Sequence, residues 1–146
     1  MHWIILILII TLDQTSKFIV LNNFKLYESR PIIEGIFHLT YVRNIGAAFS
    51  ILQNQRTFFI ITTSMVMLII VWFILYKKVP NNLVLYSLIL ILAGAMGNLI
   101  DRIRFGYVVD FFDFIIWPVF NIADMSIVVG AILLGYYYIF IDKALN

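Results

Sequence analysis

Four long stretches of the chain run almost unbroken in apolar residues, and polar residues gather mainly between them: residues 3–21, 58–76, 83–100 and 119–141. A helix needs about 20 mostly apolar residues to cross a bilayer, so each stretch predicts one spanning helix. The first is interrupted by polar positions, among them Asp13 and Lys17. KKVPNN, residues 77–82, forms the turn between the second and third. The first connection, residues 22–57, reads differently. It carries Pro31 and Gly35, and then IFHLTYV, whose β-branched and aromatic residues predict a strand. A small β element resting at the membrane surface is expected there. The third connection, residues 102–118, is short and rich in Phe, Tyr and Trp, as interfacial segments are. The predicted fold class is an all-α integral membrane protein: a four-transmembrane-helix bundle with a small β element in the first connection, residues 1–146 forming one membrane-embedded domain.

Composition agrees with lipid as the solvent. Sixty-three per cent of residues are hydrophobic and 12% charged, against about a quarter charged in soluble domains; the mean hydropathy is +1.00. A net charge of +2 without a basic run gives no support to a nucleic-acid partner. The chain has no cysteine, which removes disulfides, thiolate nucleophiles and sulfur-ligated metals. MHWIILILII lacks a basic leading segment and a small-residue cleavage site, so a retained anchor is expected rather than a removed signal peptide.

Four spans place both termini on one side, with Lys77, Lys78 and Lys143; the opposite side holds Lys25, Arg30, Arg43, Arg56, Arg102 and Arg104. Counting positive charges alone would put the termini outside.

The acids sit where candidate chemistry begins. The third span exits at Asp101 and the fourth enters near Asp124, so both lie toward the face that carries the first connection. Seven of the eight acids belong to this half, and Asp142 alone to the other. Asp13 and Lys17 in DQTSK stand at i and i+4 on one helical face, roughly 12 Å inside the helix end at 1.5 Å per residue. They read either as a buried ion pair that lets a polar helix insert or as a brace for other acids. In GNLIDR, Asn98, Asp101 and Arg102 share a face; in FNIAD, Asn121 and Asp124 do. An amide beside a carboxylate donates to it and fixes its rotamer, though Asn121 also reads as an ordinary N-cap.

Two carboxylates brought together share one proton, and such a pair can hydrolyse a peptide: the charged member activates water and the neutral one polarises the carbonyl. Helix faces alone would pair Asp101 with Asp124. Only His2 and His38 exist, one at the terminus and one in the predicted strand, which argues against a histidine-ligated zinc; no metal or cofactor is expected. Ser50, Ser64, Ser87 and Ser126 show no nucleophile motif, and a Ser–Lys pair using Lys17 stays open on spacing alone. In VRNIGAAFS, Asn44 is placed to hydrogen-bond an extended peptide, with Gly46, Ala47 and Ala48 leaving room for its backbone. Gly94 and Gly97 predict close helix packing. Two other functions compete: a small ion- or proton-coupled transporter using the carboxylates, and a magnesium-dependent transferase of lipid head groups.

DQTSK, NIGAAFS, GAMGNLIDR, GYVVDFFDF and FNIAD, in this order across four spans, resemble the bacterial lipoprotein signal peptidases, the type II signal peptidases. The likeness runs from Asp13 to about Gly130. It implies an intramembrane aspartic endopeptidase of the bacterial cytoplasmic membrane, multi-pass, with cytoplasmic termini and with both the β element and the active site toward the extracytoplasmic face. Its substrate is then a lipidated prolipoprotein, cut before the cysteine that bears a diacylglyceryl group, in contact with membrane lipids. The aspartates of the VVDF and NxAD motifs form the family's catalytic pair, here Asp110 and Asp124, in place of Asp101 with Asp124. The same matching makes Asp13, Lys17, Asn44, Asn98, Asp101, Arg102 and Asn121 supporting polar or substrate-binding residues. Asp113 has no counterpart and is expected at the rim. Two departures stand out: a very short amino-terminal tail without basic residues, and a compact segment between the two acids.

Overall fold

A computed structural model describes residues 2–46, 55–76 and 79–142. Ala47, Ala48 and Ser50, and the lysines Lys77, Lys78 and Lys143 of the charge count, lie outside the described residues. The chain forms α1 (His2–Asn23), β1 (Ser29–Ile33), β2 (Phe37–Asn44), α2 (Arg56–Tyr76), α3 (Asn82–Phe105), β3 (Val108–Asp113) and α4 (Ile122–Tyr136). A π-helical turn, Tyr137–Ile141, continues α4. All four helices, α4 together with that turn, are long and apolar enough to cross a membrane.

α3 is the axis of the bundle. Of its most apolar window 56% is buried, against 6% for α2, so α2 turns most of its surface to lipid. Small residues let α3 approach its neighbours, as expected. A Cβ on Gly94 would collide with the carbonyl oxygen of Ala123 in α4, and one on Gly97 would stand 2.5 Å from the Asp13 carboxylate of α1. Backbone contact of this kind supplies the van der Waals attraction that lipid-solvated helices need, since they gain little from hydrophobic burial. Hydroxyls within the spans are satisfied by helix carbonyls: Ser126 donates to Leu90 at 2.7 Å and Ser87 to Leu83 at 2.7 Å. One apolar core, with Leu6, Ile70, Val84, Leu88, Ile89 and Leu92, fills the half of the bundle near the start of α3.

At the other end, α3 runs past Asp101 and stops at Gly106, whose left-handed φ of 84° suits glycine and whose N–H bonds the Arg102 carbonyl. β3 follows at once. The three strands form an antiparallel sheet in the order β1-β2-β3. The predicted β element is thus the β1–β2 hairpin, while the third connection, read as an aromatic interfacial segment, supplies the third strand. α4 starts later than expected because residues 119–121 stay extended. Phe120 exchanges backbone hydrogen bonds with Phe112 at 2.8 and 3.0 Å before the helix begins. A second core of Val20, Tyr41, Val109 and Phe111 docks the sheet on the end of α1. That docking sets β3 beside the first turn of α4.

Candidate active site

Asp110 owes its direction to strand alternation. Val109 and Phe111 face the second core, so the residue between them points to the opposite side of the sheet. Asp124 owes its direction to a helix cap. Asn121 accepts the Asp124 N–H at 2.9 Å, and Asp124 Oδ2 accepts the Asn121 N–H at 3.3 Å, a reciprocal capping box. Its other oxygen accepts from Asn98 Nδ2 at 2.7 Å. Asp110 accepts from Asn121 Nδ2 at 2.6 Å on one oxygen and from Asn44 Nδ2 at 3.0 Å on the other. Each of the four carboxylate oxygens therefore faces an N–H, and Asn121 touches both acids. Asn44 turns its amide to Asp110 and its carbonyl oxygen to the Gly46 N–H at 3.0 Å.

Asp110 and Asp124 line one cavity of about 650 Å³, together with Asn44, Asn98 and Arg102. Trp117, Pro118, Val119, Met125 and Val128 give it an apolar wall. Met125 and Val128 are also exposed on the outer face of α4, so the cavity is bordered by a lipid-facing surface. Arg102 donates to the Gly46 carbonyl at 3.2 Å and rests over the Phe59 ring at 4.9 Å.

Beneath the cavity lies a second tier centred on Lys17, which is 2% exposed. Its ammonium meets Asp13 at 2.9 Å, Asp101 at 3.0 Å and Asn98 Oδ1 at 3.1 Å, three acceptors for three protons. Asp13 Oδ1 receives the N–H of Ala123 at 2.9 Å, so an acid of the first span caps the start of the fourth. Asp101 receives the Val109 N–H at 3.1 Å and holds the base of β3. Gln14, which the sequence reading passed over, donates to Asp101 at 3.0 Å, Asp13 at 3.1 Å and the Gly97 carbonyl at 3.2 Å. Its one signal was an amide next to Asp13 inside an apolar span.

The structure thus corrects the pairing that helix faces alone suggested. Asp101 is engaged by Lys17, Gln14 and the β3 backbone, and does not line the cavity; Asp110 and Asp124 do. Asp13, Lys17, Asn98, Asp101 and Asn121 form one connected network behind these two acids. Asp113 stands apart at the far end of β3, where it accepts from Thr40 at 2.6 Å and from the Ile115 N–H at 2.8 Å. Those bonds tie down a turn in which Ile115, a β-branched residue, takes a φ of 66°. Among the described residues no three His, Asp or Glu side chains converge as metal ligands.

Burial also changes how the strand acid titrates. Burial, reinforced by the Asp124 carboxylate, pushes Asp110 up from 3.8 to about 7, against the pull of the Asn44 and Asn121 amides. A group poised there can hold a proton at neutral pH and release it during a reaction.

Comparison with known proteins agrees with this geometry. The family model described as signal peptidase (SPase) II, Peptidase_A8, matches residues 5–140. A lipoprotein signal peptidase of Halothermothrix orenii is 52% identical over 137 residues, covering 94% of each chain. One from Clostridioides difficile is 48% identical over 145 residues, covering 98% of this chain and 97% of its own. A solved bacterial membrane enzyme, determined by the in meso method, superposes with a TM-score of 0.92 at 34% identity over 99% of this chain and 90% of its own. With the match spanning all four helices and the sheet between them, the chain belongs to the signal peptidase II family.

Proposed function

We propose that this protein is an aspartic endopeptidase that removes the signal peptide from diacylglyceryl-modified prolipoproteins, cutting before the lipidated cysteine, with Asp110 and Asp124 as its catalytic pair. The observation that carries this reading is one cavity, bordered by lipid-facing residues of α4 and lined by two carboxylates that share Asn121, each held by two N–H donors. In the reaction the ionised member of the pair takes a proton from water. The water oxygen bonds to the scissile carbonyl carbon while the neutral member donates a hydrogen bond to the carbonyl oxygen. Collapse of the tetrahedral intermediate breaks the C–N bond, and a proton from the pair goes to the leaving amine. Asn98, Asn121 and Asn44 hold the carboxylates in place, while the apolar wall accommodates an apolar signal segment.

In this reading the termini are cytoplasmic and the cavity faces the extracytoplasmic side, contrary to the bare charge count. The arginines of the cavity end support it because they carry local tasks that the count ignores. Arg56 donates to the carbonyls of Arg102 and Ile103 at 2.9 Å each, capping α3, and Arg102 borders the cavity. The transporter alternative requires polar groups along the whole bundle, yet the half near the start of α3 is packed with Leu6, Ile70, Val84, Leu88, Ile89 and Leu92.

The test is the mobility shift of a lipidated precursor incubated with purified protein in EDTA. Conversion should proceed unimpaired in the chelator, and the same precursor without its diacylglyceryl group should stay uncut. Loss of activity in EDTA would point instead to a metal-dependent enzyme.

The position of Asp110 also predicts a pH dependence. Its folded-state value of about 7 lies above the ordinary 3.8, so the folded protein keeps a proton that the unfolded chain has lost. The stability this proton confers is complete below pH 3.8 and is lost as pH rises through about 7. Turnover should follow with an alkaline limb near pH 7, as the pair gives up its shared proton. Initial rates in proteoliposomes between pH 5 and 9 check this, and a rate that keeps climbing beyond pH 8 would contradict it.

A further inference from the structure

Three arginines gather where α3 ends and β3 begins, and one of them, Arg43, also borders the cavity. The Arg104 guanidinium lies over the Phe105 ring at 4.9 Å; Phe105 stacks on Tyr107 with centroids 5.7 Å apart; the Arg43 guanidinium lies over Tyr107 at 4.8 Å. Two stacked rings therefore carry a cation at each end of one ridge. Arg56 joins it from α2: its side chain packs beside Gly106, and its Nε and Nη2 cap the end of α3. All three arginines are exposed.

Their charge is left uncompensated. Among the described residues, no carboxylate lies within 4.0 Å of Arg43, Arg56 or Arg104, whereas Arg30 on β1 has Glu28 at 2.7 Å. Residues 47–54, AAFSILQN, which link Arg43 to Arg56 along the chain, contain no acid. Arg43 donates its Nε to the Tyr41 hydroxyl at 2.9 Å, which leaves both terminal nitrogens without an acceptor among the described residues. Stacking on rings holds a guanidinium in place but does not neutralise it.

The ridge sits at the ends of two membrane-crossing helices, the start of α2 and the end of α3, where hydrocarbon gives way to head groups. Tyr107 is a ring type of that boundary, and Phe105 with Ile103, 55% exposed, gives the surface an apolar flank. Paired guanidinium N–H groups match the oxygens of a phosphodiester. We propose that Arg43 and Arg104, backed by Arg56, bind the phosphate of an anionic bilayer lipid whose acyl chains lie against α3 at Ile103. The site holds a membrane lipid beside the cavity that Arg43 borders, and lipid retention tests it whether or not Asp110 and Asp124 are the catalytic pair. An exposed apolar flank next to the cations selects a lipid over a free phosphate ion.

The experiment reconstitutes the wild type and the Arg43→Gln/Arg104→Gln double variant in nanodiscs of equal phosphatidylcholine and phosphatidylglycerol. The protein is then ejected and its retained lipids are counted by native mass spectrometry. The wild type should retain phosphatidylglycerol in preference, and the ratio should fall by roughly fivefold or more in the double variant. High salt during reconstitution should lower the wild-type ratio, while excess inorganic phosphate at matched ionic strength should not displace the lipid. The counted ratio is internal to each sample, so a difference in protein yield does not affect it. Equal retention of both lipids by the wild type, an unchanged ratio in the double variant, or displacement by free phosphate would each overturn the proposal.

Discussion

Replacing Asp110 or Asp124 with Asn is expected to lower precursor cleavage by about 10²- to 10⁴-fold or more, the range that a lost acid–base group accounts for. The substitutions keep the size of the side chain and remove only its ability to carry charge and exchange a proton. Each acid accepts from two N–H donors, so an amide placed there must aim its own NH₂ at one of them. A buried donor is left without an acceptor in each variant, a change that costs about 1–3 kcal/mol and one the fold should survive. Cleavage of a lipidated precursor, measured beside thermal unfolding in detergent, separates the two effects. Asp113→Asn serves as the contrast. Its carboxylate holds Thr40 and the Ile115 N–H away from the cavity, and cleavage should stay within about threefold of wild type, since no group of the chemistry is touched. Substantial turnover by either Asp110→Asn or Asp124→Asn would remove that residue from the mechanism.

The second large effect concerns stability. Lys17→Met leaves Asp13 and Asp101 buried side by side with their common cation gone. Breaking one side of a buried ionic cluster costs about 3–5 kcal/mol, because the remaining charges are neither solvated nor paired. A clear fall in melting temperature is expected, with loss of cleavage as β3 and the first turn of α4 lose their anchors. Arg at this position should not restore the protein. Its planar guanidinium replaces a compact ammonium whose three acceptors close in at 2.9, 3.0 and 3.1 Å. Adding Asp13→Asn and Asp101→Asn to Lys17→Met should recover part of the lost stability, since the three residues act as a unit. A Lys17→Met protein that melts like the wild type would show that the cluster serves only to insert α1.

What the sequence made legible was whatever repeats along a single helix. Apolar runs announced four spans, and a spacing of three or four residues placed Asn98 with Asp101 and Arg102 on one face of α3. Those cues are local. β3 was read as an aromatic interfacial segment because VVDFFD becomes a strand only by pairing with β2, more than sixty residues earlier in the chain. The same limit misdirected the pairing of the acids. Asp101 does face inward, but the partner that engages it is Lys17 on another helix, and nothing in the local pattern of α3 reports that. Motif resemblance pointed to Asp110 where spacing did not, because a strand acid falls outside the three- and four-residue spacings that set residues on one helix face. Gln14 escaped for the opposite reason: its three acceptors lie on α1 and α3, and a lone amide beside an acid carries no periodic signal.

The bond from Asp13 to the Ala123 N–H joins residues 110 positions apart. A nascent chain with its fourth span still in the ribosome has the residues of α1, the three strands and Asp110, yet lacks both Asp124 and the backbone that Asp13 orients. With Asp110 and Asp124 as the proposed catalytic pair, a chain released before α4 should therefore fail to cleave a neighbouring precursor, and competence should arrive only with the fourth span.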